Sequence, residues 1–284
     1  FIRTDSPKPF FLYLAHMYVH LPIYVKQEFL DNSENGSYGA AVESIDWATA
    51  VIMNELQSLG LDENTIVIFT SDNGSLGNML PPFGGRQELI GGSNLPLRGA
   101  KGTTWEGGQR VPAIVRWKGK VEAGRVCDEL LTAMDFYPTL ANICGAQVPQ
   151  DRIIDGKDAR AVWFDAQAKS EHEHFVYYRA NGLEAIRNRQ YKLHFGRGKE
   201  DVFELYDIVG DVSETTNVYD QFPEEVASLT AAANHYRHTL GDDRTGSTGT
   251  EVRPIGRVEN PQPLAHLDPS HPYVIAEYDL PDRG

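Results

Sequence analysis

Hydrophobic and polar positions change period several times along this chain, and each change predicts an element. Residues 66–70 are β-branched or aromatic and stop at Ser71, Asp72, Asn73 and Gly74. That pattern predicts a buried strand with two oxygen-bearing side chains at its end and a glycine that releases the turn. Residues 9–15, PFFLYLA, read as another buried strand, which leads into His16, Met17, Tyr18, Val19, His20, Leu21 and Pro22. Between the two, Val42, Ile45, Ala48, Val51, Ile52, Leu56 and Leu59 recur at helical spacing and Gly60 ends the run, so residues 39–59 are predicted as an amphipathic helix. Strand, helix and strand make a βαβ unit. Its right-handed crossover would put both strand ends on one edge and bring His20 and Asp72 together.

A strand over residues 113–117 and a helix over residues 134–143 extend this α/β layer. The composition shifts after Asp155 and Gly156. Residues 166–174 are charged and irregular, and residues 175–178, 185–187, 191–195 and 204–206 then read as short strands with Asn-Gly and Asn-Arg turns, an antiparallel sheet. Residues 224–240 have the spacing of a closing helix, and the proline-rich tail from Val252 onward is predicted to wrap the surface. The predicted division is an α/β part over residues 1–165 and a smaller α+β domain with a wrapping tail over residues 166–284.

Composition narrows the function classes. A chain of 284 residues with 41% hydrophobic content can bury a large core, as one domain or two unequal ones. Its formal net charge of -14 argues against a nucleic-acid partner. Two cysteines, Cys127 and Cys144, make no disulfide framework, and no apolar run approaches the length of a membrane span. Asn35-Gly36-Ser37 and Asn73-Gly74-Ser75 are glycosylation sequons.

Two clusters carry candidate chemistry. Asp72 and Asn73 offer a carboxylate and an amide carbonyl, ligands for Ca²⁺ or Mg²⁺ rather than zinc; the alternative is an Asp-Asn-Gly turn. Residues 91–112, GGSNLPLRGAKGTTWEGGQRVP, set Arg98, Lys101 and Arg110 among glycines. Cations on a glycine-rich frame suit an oxyanion, because small residues let the backbone approach it while Lys supplies a mobile charge and Arg a planar fork. The alternative is a surface loop with solvated charges. Lys101 is followed by Gly102 rather than Ser or Thr, so the segment is not a nucleotide P-loop, and the Rossmann fingerprint is absent as well. His20 is a candidate acid or a structural histidine. His235 and His238 lie three apart on a predicted helix without a third ligand nearby, which favours an exposed face over a metal site. Trp105 and Trp117 are read as packing residues.

Taken in order, PFFLYLAHMYVHLP, SDNG, LRGAKGTTWEGGQRVPAIVRWKG, MDFYPTLANICG and ELYDIVGDVSETTNV resemble the sulfatase family, in particular the arylsulfatase A and N-acetylgalactosamine-6-sulfatase type. The resemblance implies an alkaline-phosphatase-like α/β fold, a mixed sheet flanked by helices with a smaller C-terminal antiparallel-sheet domain. It implies hydrolysis of aryl or carbohydrate sulfate esters, with Asp72 and Asn73 on a divalent cation, usually calcium with magnesium as the other choice. It places Lys101 and His20 on the sulfate and its leaving oxygen, and His194, in KLHFG, at the substrate mouth. One departure stands against these matches. The family's formylglycine arises from Cys in a CxPxR or CxAxR context, and neither Cys127 nor Cys144 has it; the family's paired Asp and its Lys/His set near that residue are missing too. The chain is therefore read as the C-terminal portion of a sulfatase, whose formylglycine-bearing N-terminal segment is its partner together with a sulfated small molecule or glycan. The family's compartments are secreted, periplasmic or lysosomal. Two other readings stay open: a phosphodiesterase or phosphonate hydrolase of the same superfamily, and a non-catalytic remnant that binds sulfated glycans.

Overall fold

A computed structural model describes residues 2–3, 8–77, 91–262, 265–266 and 275–276. The chain forms two compact units, Phe1–Thr250 and Glu251–Gly284. The first begins with helices α1 (Gln27–Asn32) and α2 (Gly36–Ser58) and strand β1 (Val67–Thr70). The four-residue helix α3 (Glu106–Gln109) precedes strand β2 (Ala113–Arg116). β1 and β2 are antiparallel, with Val67 opposite Arg116 and Thr70 opposite Ala113. A bidentate pair between Arg116 and Asp62, at 2.6 and 3.0 Å, ties this ribbon to the turn before β1, and Trp117 packs there by donating from Nε1 to Glu63 O at 3.1 Å.

The predicted βαβ unit does not form. β1 pairs with an antiparallel neighbour, and residues 9–15 make no strand at all. An apolar run becomes a strand only when a neighbour takes up its backbone groups and a surface covers its side chains. Neither is met among the described residues, where Phe11 and Tyr13 stand 75% and 79% exposed. Helix α2 does form over the predicted residues, but its buried face is Gly39, Ala40, Ala41, Ser44 and Leu56, while Val42, Val51 and Leu59 face solvent.

Helix α4 (Phe136–Ile143) follows a 3₁₀ turn over Ala133–Asp135 and is joined by the short helix α5 (Arg160–Phe164), which the sequence pattern does not predict. Asp135 organises this corner. Its carboxylate accepts the backbone N–H of Thr132 and of Lys157, both at 2.7 Å, and His172 Nε2 at 2.7 Å. Burial pushes the Asp135 pKa up, but the His172 bond and the two backbone donors outweigh it and leave it below the usual carboxylate range. Asp135→Ala strands three donors in a buried site and is expected to cost about 2–4 kcal/mol of unfolding free energy. A urea midpoint within error of the wild type would show that water replaces the carboxylate.

The remaining strands, β3 (Phe175–Arg179), β4 (Gly182–Arg187), β5 (Tyr191–Arg197) and β6 (Glu200–Asp207), form an antiparallel meander in sequence order. Helix α6 (Pro223–Leu240) closes one face, where Leu183, Ile186, Leu193 and Leu205 pack against its Leu229 and Ala233. His235 and His238 lie on its exposed side. The other face is not solvated. Across β4 and β5 it presents the pairs Arg187–Lys192 and Ala185–His194, with Tyr206 of β6 opposite Lys192, and the glycine-rich loop covers it. In the second unit, strands β7 (Ala265–His266) and β8 (Ile275–Ala276) form a short antiparallel pair. No helix among the described residues is long and apolar enough to cross a membrane.

Candidate active site

β1 ends where the sequence predicts and delivers Asp72 and Asn73 into a turn, in which Ser71 Oγ donates to Asn73 O at 3.2 Å. The turn is stitched to the glycine-rich loop. Gly74 N donates to Gly108 O at 3.1 Å, and Lys101 N donates to Ser75 O at 2.9 Å. Asn94 completes the seam: its Oδ1 accepts Ser75 N at 2.8 Å, and its Nδ2 donates to Ser75 O and Gly99 O at 3.0 and 3.1 Å. The two clusters, separate in sequence, are one structural site.

The glycines serve that seam more than an anion. A Cβ on Gly74 would lie 1.8 Å from Gly107 O, and one on Gly107 would lie 2.6 Å from Arg98 O, so these positions let backbone pack on backbone. Gly102, next to Lys101, differs, since a Cβ there meets nothing within 4 Å among the described residues. The loop is thus closed at its base and open at its tip. Lys101 is half-buried there, and its ammonium makes no hydrogen bond or ion pair among the described residues. An open cleft of about 470 Å³, lined by Asn94, Leu95, Leu97, Arg110, Val111 and Val212 among others, lies beside the loop.

Underneath, the loop is seated on the charged face of the meander. Glu106 is 2% exposed and accepts Tyr177 Oη at 2.5 Å, Lys192 Nζ at 3.0 Å and Arg187 Nη1 at 2.9 Å. Burial alone would raise its pKa, yet the charges of Lys192 and Arg187 and the bonds from Tyr177 and Lys192 hold it at about 2. Lys192, itself fully buried, also reaches Glu214 Oε1 at 3.0 Å. Thr104 Oγ1 donates to the buried Glu184 at 2.8 Å. Trp105 is packed as the sequence predicts, 4.5 Å from the His194 ring and edge-on to Tyr206, with the Arg98 guanidinium 3.8 Å from its ring.

Asp72, Asn73 and Lys101 come together, and the other two candidates do not. His20 is exposed, and its Nδ1 donates to Leu21 O at 2.8 Å; no hydrogen bond among the described residues ties it to Asp72 or Lys101. The absent strand over residues 9–15 removes the frame that would have carried it there. His194 is not at a substrate mouth. It is 1% exposed beneath Trp105, its Nε2 faces Glu214 Oε1 at 3.3 Å, and burial holds its pKa down, so the ring is neutral near pH 7. Sequence reasoning passed over Asn94, Glu106, Lys192 and Glu214. The signal for Lys192 was present: strand alternation puts it on the same face as His194, opposite Leu193.

As donors, Asp72 and Asn73 suit a hard cation in kind: both are oxygen ligands at a strand end, Asp72 is exposed, and the nearby Ser75 Oγ is buried without a hydrogen-bond partner among the described residues. They fall short in number, since Ca²⁺ takes about six to eight oxygens and the described residues hold no cluster of three or more His, Cys, Asp or Glu.

The chain is similar to known proteins along most of its length. The sulfatase family model matches residues 1–146, and a model for the C-terminal region of N-sulphoglucosamine sulphohydrolase matches residues 100–237. Steryl-sulfatase of Mus musculus is 41% identical over 187 residues, covering 66% of this chain and 30% of its own length. N-acetylgalactosamine-6-sulfatase of Canis lupus familiaris is 42% identical over 193 residues, 68% of this chain and 35% of its own length. The chain thus spans about a third of these relatives. A solved Bacteroides thetaiotaomicron structure, from work on the metabolism of multiple glycosaminoglycans, superposes with a TM-score of 0.69 at 31% identity over 81% of this chain and 51% of that one. The fold is the alkaline-phosphatase-like α/β fold of those neighbours. By a family match across its first half and a shared fold across most of its length, this chain belongs to the sulfatase family.

Proposed function

We propose that this chain supplies the anion- and cation-binding part of a sulfuric ester hydrolase, as the C-terminal portion of a longer enzyme. The observation that carries this reading is the seam in which Lys101 N donates to Ser75 O, two residues after Asn73, while the Lys101 ammonium has no partner among the described residues. Lys101 binds the sulfate and offsets charge on the oxygen that leaves, and its flexible stem lets the ammonium follow the group during transfer. The alcohol portion of the substrate occupies the cleft beside Asn94 and Arg110, whose mixed apolar and cationic lining suits a ring bearing anionic groups. Asp72 and Asn73 would hold the divalent cation, calcium or magnesium, which as a Lewis acid polarises the sulfate oxygens. The nucleophile, a formylglycine by family resemblance, comes from a segment outside this sequence. Residues 11–14, and Phe69 and Ile114 of the β1–β2 ribbon, carry exposed apolar side chains that such a segment would cover. His20 joins the site in this reading once residues 9–15 are paired.

The test is turnover by the full-length natural protein. An aryl sulfate is expected to be hydrolysed and the matching aryl phosphate far more slowly. The reverse preference supports a phosphodiesterase, and binding of sulfated glycan without turnover of either ester supports a non-catalytic remnant. The cation has its own measurement. Calcium is expected to raise the unfolding temperature of the wild-type protein and not of Asp72→Ala, because a ligand stabilises only a state that binds it. Equal shifts in both would remove Asp72 from the metal site.

A further inference from the structure

The buried residues under the glycine-rich loop are not used by the chemistry proposed above, and one of them meets the loop in two places. Glu214 is fully buried and comes from the segment after β6, far from the loop in sequence. Its main-chain oxygen accepts Arg98 Nη1 at 2.6 Å, and its Oε2 accepts the backbone N–H of Glu106 at 2.8 Å. Arg98 precedes Lys101 in the loop and Glu106 follows it. A single residue therefore grips both arms of the loop, and the tip between them is held by Lys101 N on Ser75 O and by the turn bond of Thr103 N to Ala100 O.

Three further observations make this grip specific. Glu214 adopts φ +50°, the left-handed region that a non-glycine residue seldom enters. Such a conformation persists where the surroundings over-determine it, and here Lys192 Nζ at 3.0 Å and His194 Nε2 at 3.3 Å fix the same carboxylate. The segment that carries Glu214 is itself rigid: Asp211 Oδ2 accepts Thr215 N and Thr216 N, each at 2.7 Å. The neighbouring Ser213 Oγ donates to Pro96 O at 2.7 Å, close to Asn94 of the seam. Lys101 has no side-chain partner of its own among the described residues, so its place is set by the backbone these contacts hold.

We propose that Glu214 is a positioning residue for Lys101, fixing the loop on both sides so that the ammonium stands over the Asp72-Asn73 turn; this rests on the role given to Lys101 above. Displacement of a reacting group by about 1 Å can cost about a hundredfold in rate. The experiment is a double-mutant cycle in the full-length natural enzyme, measuring kcat for an aryl sulfate in wild type, Lys101→Ala, Glu214→Gln and the double variant. Glu214→Gln is expected to lower kcat by about tenfold or more in the wild-type background and by less than about threefold in the Lys101→Ala background. Equal losses in both backgrounds, or no loss in the wild type, overturn the proposal, because a residue needed only for folding acts the same whether or not Lys101 is present. Glu214→Asp, which keeps the charge, enters the same cycle where Glu214→Gln does not yield folded protein. If Lys101→Ala alone leaves turnover unchanged, the assignment of Lys101 is what fails. Amide exchange then decides on Glu214: faster exchange at residues 99–103 with the β3–β6 meander unchanged supports the grip, and unchanged exchange at those residues overturns it.

Discussion

Lys101→Ala is expected to lower turnover of sulfate ester by about a hundredfold or more in the full-length enzyme, the scale on which one pre-placed electrostatic contact to a transferring group is felt. The magnitude follows from what surrounds the ammonium. It is half-buried at the tip of a loop whose base is closed by backbone contacts, and no carboxylate among the described residues neutralises it. Its charge is therefore available to a sulfate oxygen, and Arg98 does not replace it on truncation, since that guanidinium is turned away onto Trp105 and Glu214 O. The alanine variant should fold, because the loop is held through the Lys101 amide and not its side chain. Loss in kcat with an unchanged melting temperature is the expected pattern; an unchanged kcat would take Lys101 out of the site.

Much of the fold was legible because local pattern and tertiary environment agree there. The meander of β3 to β6 shows strand propensity broken by Asn-Gly and Asn-Arg turns, and α6 opens at Pro223 and closes at Gly241, so boundaries fall within a few residues of the prediction. Residues 9–15 fail for the opposite reason. Their apolar side chains predict burial, but a strand is a pairwise object and the pattern carries no information about whether a neighbour is present. Likewise α2 was legible as a helix while its buried face was not. Two stripes compete on it, and the small residues Gly39, Ala40 and Ala41 win the interior because they allow close approach, which a search for large apolar residues overlooks.

The candidate site was legible where chemistry sits in contiguous residues. Asp72, Asn73 and Lys101 stand out because unusual residue types cluster, and the structure joins the clusters through Asn94 and Ser75. What supports them was hidden, because Glu106, Lys192 and Glu214 are ordinary charged residues scattered over the chain, and a charged residue in a sequence reads as surface. His194 was placed at a substrate mouth by family resemblance alone, whereas both faces of β5 are covered and the residue is buried.

Lys192→Met should cost about 3–5 kcal/mol of unfolding free energy near pH 7, the usual effect of removing one partner from a buried ion pair. Lys192 Nζ lies 3.0 Å from a carboxylate oxygen of both Glu106 and Glu214, and a methionine of similar volume leaves those two acids buried, Glu106 with Arg187 as its remaining ion-pair partner among the described residues. The pH dependence identifies the cause. In the wild type, Glu106 has its pKa depressed from 4.5 to about 2, so its contribution is fully present above pH 4.5 and is lost as pH falls toward 2. At about 1.4 kcal/mol per pH unit that gap is worth about 3 kcal/mol. In the variant, burial is no longer opposed by the Lys192 charge, and the Glu106 pKa moves upward. Protonation then relieves the buried charge, and the difference between wild type and variant should be largest near neutrality and shrink as pH falls through the carboxylate range. Urea unfolding at a series of pH values from 7 to 4 measures it. A penalty independent of pH would mean that Lys192 stabilises this face by its packing on Tyr177, whose ring centroid is 4.0 Å from Nζ, and not by holding two carboxylates together beneath the Lys101 loop.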